Sequence, residues 1–363
     1  MLQTSVHVIV LGDVTRSPRI LSQACYLANE GYTVTVSGYD ASLSVAAKTK
    51  NINALDLVNI PDLKKYLFLS SLSLIVKNLL RWNINAIVYY DRAPDDFAST
   101  PVDAAHELFT RLKTEYPALS DQVGSTRRTR FTEVITLPAD CGGQITQWRT
   151  DRPALVLSSC SWTPDDDFTM MIEALDKYNE RAGKSESELP HVVFAVTGRG
   201  PLKSYYEQLI REKCWTHVEV IMPWLTPEDY PVFLGCADLG ISLHRSSSGL
   251  DLPMKVVDLM GVEVPVLALN YETLHELLPE HKFGDHFLTA TELCNQLCDL
   301  LKPNQPKSVR KPLVVDRFDA IGSTKLRMYR DALSKYNRNT PRGLKYWKKV
   351  GAPPIYRALK SSL

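Results

Sequence analysis

The chain has 363 residues, 44% of them hydrophobic, which is enough for two domains of ordinary size with apolar cores. Its 42 basic and 41 acidic residues balance overall, but residues 302–363 carry 16 Lys/Arg against 3 Asp/Glu, leaving 26 basic and 38 acidic residues ahead of them. Collagen-like, coiled-coil and solenoid repeats are absent, and the basic end suits an anionic membrane surface, a nucleic acid or an acidic face of the protein itself. Nucleic acid is set aside, because no recognised fold of that class accompanies the basic and aromatic residues.

Seven cysteines at scattered positions, with no CxxC pair, fit reduced thiols in a cytosol-facing protein better than a disulfide framework. No basic region precedes the strand His7–Leu11, so no secretory signal is expected. The apolar run 66–76 is too short to cross a bilayer. Flanked by Lys64, Lys65, Lys77 and Arg81, it reads either as a core helix or as a segment lying on a membrane surface.

In chain order, Val6–Leu11 reads as a strand, Gly12–Arg19 as a loop, Ile20–Glu30 as a helix and Tyr32–Ser37 as a second strand. Helices fill 62–81, and only Ala86–Tyr90 follows as a further strand, so this first domain is expected to be thin. Asp91–Phe97 reads as a linker, 102–114 as a helix and 120–150 as a polar loop. From Leu155 a regular α/β alternation sets in. Strands are expected at 155–159, 192–197, 217–221, 239–243 and 264–267, each followed by a helix. Short apolar strands between amphipathic helices predict a mostly parallel sheet covered on both faces. The expected division is 1–94, 95–301 and a basic tail 302–363.

Ligands of such sheets sit at the carboxyl ends of the strands, so the loops there are where chemistry is sought. Ser158–Asp167 offers hydroxyls and an acidic triplet that also suits helix capping. In Thr197-Gly198-Arg199-Gly200-Pro201, two glycines allow close backbone approach to a diphosphate, and the guanidinium can hold two of its oxygens. Trp224–Tyr230 follows the third strand. The most informative stretch runs from Leu243 to Asp258. There Ser246, Ser247, Ser248 and Gly249 suit phosphates, Lys255 supplies a cation, and Asp258 a hydroxyl acceptor; Asp251 either contacts the sugar or caps the helix. At the mouth of the first strand, Gly12, Asp13, Arg16 and Arg19 form neither a GxGxxG fingerprint nor a Walker A loop. No HExxH, nucleophile elbow or metal cluster is present.

These segments, with Tyr90-Asp91-Arg92-Ala93-Pro94, resemble the chitobiosyldiphosphodolichol β-mannosyltransferases over most of 6–38 and 86–278. The resemblance implies an α/β GT-B-like fold of two Rossmann-like domains. It also implies an inverting transfer of mannose from GDP-mannose to GlcNAc2-diphosphodolichol with a β1,4 bond, at the cytosolic face of the endoplasmic reticulum. By family pattern the second domain holds the donor: Gly198, Arg199, Gly200, Ser247, Ser248, Gly249 and Lys255 face its phosphates and Asp258 its ribose. Gly12, Asp13, Arg16 and Arg19 lie on the acceptor side. No cofactor and no strict metal requirement is expected. The implied partners are GDP-mannose, dolichol-diphosphate-linked chitobiose, an anionic membrane surface and other glycosyltransferases of the same pathway. The chain departs from the family in three places. No anchor precedes Val6, an acceptor-side stretch has no counterpart between Arg81 and Trp82, and the closing Trp-containing helix is not recognisable after Leu313. A truncated first domain and peripheral membrane attachment are the resulting expectations, and no general base is assigned.

Overall fold

The computed structural model describes residues 5–13, 18–39, 55–59, 89–121, 125–137, 142–245, 251–303, 315, 317 and 321–361. The chain divides into two units, Met1–Tyr89 with Trp347–Leu363, and Tyr90–Tyr346.

In the first unit, β1 (Ser5–Asp13), α1 (Pro18–Asn29), β2 (Thr33–Tyr39) and β3 (Leu55–Asn59) form a parallel sheet in the order β1-β2-β3. The register runs from Ser5 opposite Thr33 to Ile9 opposite Ser37, then shifts before Asp13 meets Tyr39. Val34 and Val36 alternate with polar neighbours and are fully buried, as a half-buried strand requires. Ala24, Leu27 and Ala28 supply the helix face that covers them. The same core takes in the end of the chain. Trp347, opening a π turn to Gly351, stands edge-on to Tyr26 at 6.5 Å and Tyr89 at 5.5 Å, and Ala352 starts a closing helix, Ala352–Ser361.

One reading of the sequence changes here. β3 is a third strand that was not expected, since Leu55-Asp56-Leu57-Val58-Asn59 is short and only three residues of it are apolar. The proposed helices over 62–81, most of the strand at 86–90, the apolar run 66–76 and the Arg81–Trp82 junction lie outside the described residues.

The second unit opens with α2 (Val102–Leu112) and an antiparallel pair, β4 (Thr132–Thr136) and β5 (Gln144–Trp148). This pair corrects the reading of 120–150 as a loop. Phe131 and Trp148 bury their rings around Phe109, at 5.0 and 6.4 Å, so the segment belongs to the core. The alternation then follows as expected: β6 (Ala154–Ser159), α3 (Phe168–Ala182), β7 (Val192–Thr197), α4 (Lys203–Arg211), β8 (Val218–Ile221), α5 (Asp229–Cys236), β9 (Leu239–Ser242), α6 (Met254–Gly261), β10 (Val266–Leu269) and α7 (Leu274–Leu277). Two elements beyond those expected complete the sheet and its cover, β11 (Gly284–Phe287) and α8 (Ala290–Leu301).

All six strands are parallel, in the order β11-β10-β9-β6-β7-β8. Strand period sorts the side chains to two faces. Leu155 and Leu157 of β6 enter one apolar cluster with Val193, Phe233 and Leu259, while Val156 enters the other with Phe168, Phe194 and Leu293. Both faces are covered, which is why the strands read as continuous apolar runs.

The segment expected to be a basic tail is divided between the two units. Helix α9 (Thr324–Asn339) buries Leu326, Tyr329 and Leu333 in the second unit. It is pinned there by Asp285 of β11, which receives Tyr329 Oη at 2.8 Å, Lys325 Nζ at 2.7 Å and His281 Nδ1 at 2.5 Å. Burial alone raises the carboxyl of Asp285, but the bonds from Lys325, Tyr329 and His281 outweigh it and hold the group below its ordinary value. Trp347–Ser361 belongs to the first unit. The linker is equally well held, because Ala93 is buried and the guanidinium of Arg92 lies 4.9 Å from the ring of Tyr336 and 5.4 Å from that of Tyr346. No helix among the described residues is long and apolar enough to cross a membrane. All six described cysteines are free thiols.

Candidate functional site

The chain leaves β6 toward β7 on one side and reaches β9 on the other, so the carboxyl ends of β6 and β9 frame a topological switch point. Crevices at such points are where open α/β sheets bind ligands. The loops after these two strands are joined. Asp166 makes an isolated bridge with His244, and the N–H of Arg245 donates to the carbonyl of Asp165 at 2.8 Å.

Lys255 lies in the first turn of α6, and its ammonium meets Asp166 at 2.5 and 2.7 Å. The Asp166 carboxylate is 2% exposed and also accepts the N–H of Ser161 at 3.3 Å. Sequence reasoning placed Lys255 here but missed Asp166. Its only signal is the triplet Asp165-Asp166-Asp167, which was read as helix capping, and only Asp167 acts so, accepting from Met170 N at 3.4 Å. The Lys255 side chain keeps 20% exposure, and an ammonium has a third donor beyond the two oxygens of Asp166.

Gly198 and Gly200 are explained by backbone crossing. Gly198 has φ +134°, and a Cβ there would stand 1.8 Å from the carbonyl oxygen of Cys160; one on Gly200 would stand 1.8 Å from that of Ser161. The glycines therefore let the loop after β7 lie directly on the loop after β6, a cause independent of any ligand. Gly198→Ala is expected to lower stability by about 3 kcal/mol through overpacking and backbone strain, read as a reduced melting temperature.

Between the glycines, the exposed Arg199 guanidinium lies 3.7 Å from the ring centroid of Trp224, and no carboxylate pairs with it among the described residues. Trp224 itself is 52% exposed at the end of β8. Trp162, in contrast, is fully buried, stacks on Phe168 at 4.5 Å and donates Nε1–H to Gly198 O, so it covers the sheet and walls no pocket. The Ser159 hydroxyl is also used internally, accepting from Thr197 and Tyr230 at 3.1 Å each. Cys160 is an inert thiol, pushed up to about 12 by burial.

Asp251 does not cap α6, whose N-cap is Pro253 with no side-chain bond. Its carboxylate instead lies 2.7 Å from Nε2 of His244, and its carbonyl accepts the Tyr271 hydroxyl at 2.8 Å. Asp258 is half-buried on α6, three residues beyond Lys255 and so on the same helix face. Ser246, Ser247, Ser248, Gly249 and Arg16 lie outside the described residues. Gly12 and Asp13 end β1 and Arg19 lies in α1; only their backbone is described. Among the described residues no group of three or more His, Cys, Asp or Glu is placed to hold a metal ion.

No family model matches the chain. Curated relatives named chitobiosyldiphosphodolichol β-mannosyltransferase include one from Pongo abelii, 42% identical over 67% of this chain and 53% of its own length. Another, from Mus musculus, is 44% identical over 63% of this chain and 48% of its own. The chain thus spans about half the length of these relatives. A Homo sapiens protein provisionally named a glycosyltransferase is 38% identical over 58% of this chain and 92% of its own length. Among solved structures, a glycosyltransferase from Rickettsia africae covers 99% of both chains with a TM-score of 0.55 at 12% identity. The Anabaena HepE protein, solved in complex with UDP, covers 99% of this chain and 100% of its own with a TM-score of 0.59 at 10% identity. The fold is therefore the GT-B type, and the chain belongs to the glycosyltransferases, with curated relatives that include proteins named chitobiosyldiphosphodolichol β-mannosyltransferase.

Proposed function

We propose that the chain is an inverting β-1,4-mannosyltransferase that moves mannose from GDP-mannose to GlcNAc2-diphosphodolichol at the cytosolic face of the endoplasmic reticulum. The observation that carries this reading is the gathering of Arg199 and the Lys255–Asp166 pair at one sheet edge, in a chain 42–44% identical to proteins named for that reaction. The donor diphosphate lies between Arg199, the backbone of 198–200 and the third donor of Lys255. Asp258 accepts from the ribose, and Ser247, Ser248 and Gly249 complete the phosphate contacts. Positive charge already fixed at this edge stabilises the GDP that departs, because no reorganisation is needed as its charge develops.

The acceptor side belongs to the first unit, with Gly12, Asp13, Arg16 and Arg19 facing the lipid-linked chitobiose. Attachment is to an anionic membrane surface, beside other glycosyltransferases of the pathway. The experiment is transfer of radiolabelled mannose from GDP-mannose to the lipid acceptor by the full chain, with product formed above a no-enzyme control. A second reading, a non-catalytic relative that keeps the nucleotide-sugar pocket, draws on one observation: the chain covers 92% of the provisionally named human glycosyltransferase but only 53% of the Pongo abelii β-mannosyltransferase. Donor binding without transfer selects that reading.

Arg199→Ala separates binding from folding. It removes an exposed cation with no carboxylate partner among the described residues, so the melting temperature is expected to hold. GDP-mannose affinity is expected to fall about tenfold through the lost charge-assisted bonds to phosphate. Unchanged affinity removes Arg199 from the donor site.

A further inference from the structure

We propose that Cys298 is a modification site whose thiolate, held on the seam between α3 and α8 by Arg181 and Cys294, forms a reversible mixed disulfide with a low-molecular-weight disulfide. The inference is independent of the donor-site reading.

The site arises from helix periodicity. Cys294 and Cys298 stand one turn apart on α8, so their side chains share the face that packs against α3. Cys294 is fully buried in the same cluster as Leu175 and Tyr178 of α3, and Cys298 packs at its margin, half-buried. Across the seam, Arg181 in the last turn of α3 donates from Nη1 to Sγ of Cys298 at 3.8 Å and to Oδ1 of Asn295 at 2.7 Å. The bond to Asn295 fixes the guanidinium beside the sulfur. Arg181 lies about 21 Å along α3 from Asp167, the N-cap, so the seam is separate from the loops of the donor edge.

A thiol reacts as its anion, so the neighbours matter through the proton state they favour. The S–H of Cys294 donates to the sulfur of Cys298 and, together with the charge of Arg181, outweighs burial and holds the Cys298 thiol below its ordinary value. The same bond, with burial, pushes Cys294 up, so it keeps its proton and acts as the donor. The remaining charged and titratable groups here are Lys177, Tyr178 and Glu180 of α3 and Asp299 of α8, of which Asp299 opposes the Cys298 anion. Buried Cys160 and Cys236 contrast with this arrangement, each pushed up to about 12.

The step is a thiol–disulfide exchange. The Cys298 thiolate attacks one sulfur of the small disulfide, a new S–S bond forms, the old one breaks, and the departing thiolate takes a proton from water. Cys294 does not resolve the product. One helical turn holds the two Cβ atoms about 5–6 Å apart, whereas a disulfide needs about 3.5–4.5 Å. The adduct therefore persists until an external thiol reverses the exchange.

The test treats the full chain with oxidised glutathione between pH 6 and pH 9 and follows the adduct at each cysteine by peptide mass spectrometry. The expected result is one glutathione on Cys298, removed by dithiothreitol, with a rate whose pH midpoint lies below the ordinary thiol value of about 8.5. Arg181→Gln keeps a hydrogen-bonding amide but removes the charge. Its midpoint should rise and its rate at pH 7 should fall about threefold, because lost thiolate is partly offset by greater nucleophilicity. The difference should close by pH 9. An unmodified Cys298, a midpoint at or above the ordinary value, or a Cys294–Cys298 disulfide overturns the inference. These three readings come from the wild type alone, so they decide even where Arg181→Gln does not fold. An unchanged rate in folded Arg181→Gln overturns it as well.

Discussion

Asp238→Asn should be the most destabilising single change in the second unit, lowering stability by about 3–5 kcal/mol. The Asp238 carboxylate is 1% exposed ahead of β9 and receives Arg152 through two bonds at 2.7 and 2.8 Å, Arg317 Nε at 3.3 Å and the N–H of Leu155 at 2.9 Å. Both guanidiniums also lie 5.0 Å from the ring centroid of Trp148. Neutralising the carboxylate leaves two buried cations facing each other, and it is this uncompensated charge, more than the lost bonds, that destabilises. Because the Leu155 N–H also bonds here, the change loosens the start of β6, the strand that ends in the site.

The same group predicts a pH dependence. Burial pushes the Asp238 carboxyl up, but the charges of Arg152 and Arg317 and their bonds outweigh it and hold it at about 2. With the folded value below the ordinary one, its contribution is fully present above about pH 4 and is lost as pH falls toward 2. Urea unfolding of wild type and Asp238→Asn between pH 3 and pH 7 checks both points. The gap between the two proteins should be widest at the upper end and narrow in acid. A constant gap, or none, contradicts the assignment.

Lys255→Ala should act twice, on stability and on donor binding, and a second substitution separates the two effects. Removing the ammonium leaves the buried Asp166 carboxylate with the N–H of Ser161 as its one donor among the described residues, a loss of about 2–3 kcal/mol. Lys255→Ala combined with Asp166→Asn removes both charges and should recover most of that stability. Affinity for GDP-mannose should remain at least about tenfold below wild type in both variants, because the phosphate contact is lost in each. Recovery of binding along with stability would mean that Lys255 only supports the loop and does not touch the ligand.

The second sheet was legible because its strands are buried on both faces and its helices on one, so the two periods show through. β7, Val192–Thr197, has the expected ends, and the other elements differ by a few residues. What was not legible has identifiable causes. β4 and β5 mix Thr, Glu and Gln with Val, Ile and Trp, and Trp148 is buried against Phe109 of α2, 39 residues earlier in sequence. The basic composition of 302–363 concealed α9, whose buried residues Leu326, Tyr329, Arg330 and Leu333 carry one face of an otherwise charged helix. At the site, Lys255 and Arg199 could be found from their places after strands. Asp166 could not, because a carboxylate ahead of a helix has a commoner use as a cap, and its pairing with Lys255 is 89 residues away in sequence. The glycines at 198 and 200 are close-approach positions, as their sequence suggests, and Cys160 O and Ser161 O are atoms that approach them.

The central claim is that a guanosine diphosphate sugar is held at the edge where β6, β7 and β9 end. Competition between GDP and labelled GDP-mannose on the full chain, wild type beside the Arg199→Ala and Lys255→Ala/Asp166→Asn variants, tests it most directly. Saturable binding that GDP displaces, and that both variants weaken about tenfold while melting like wild type, is the predicted result. Equal binding by all three proteins, or none by any, would contradict it.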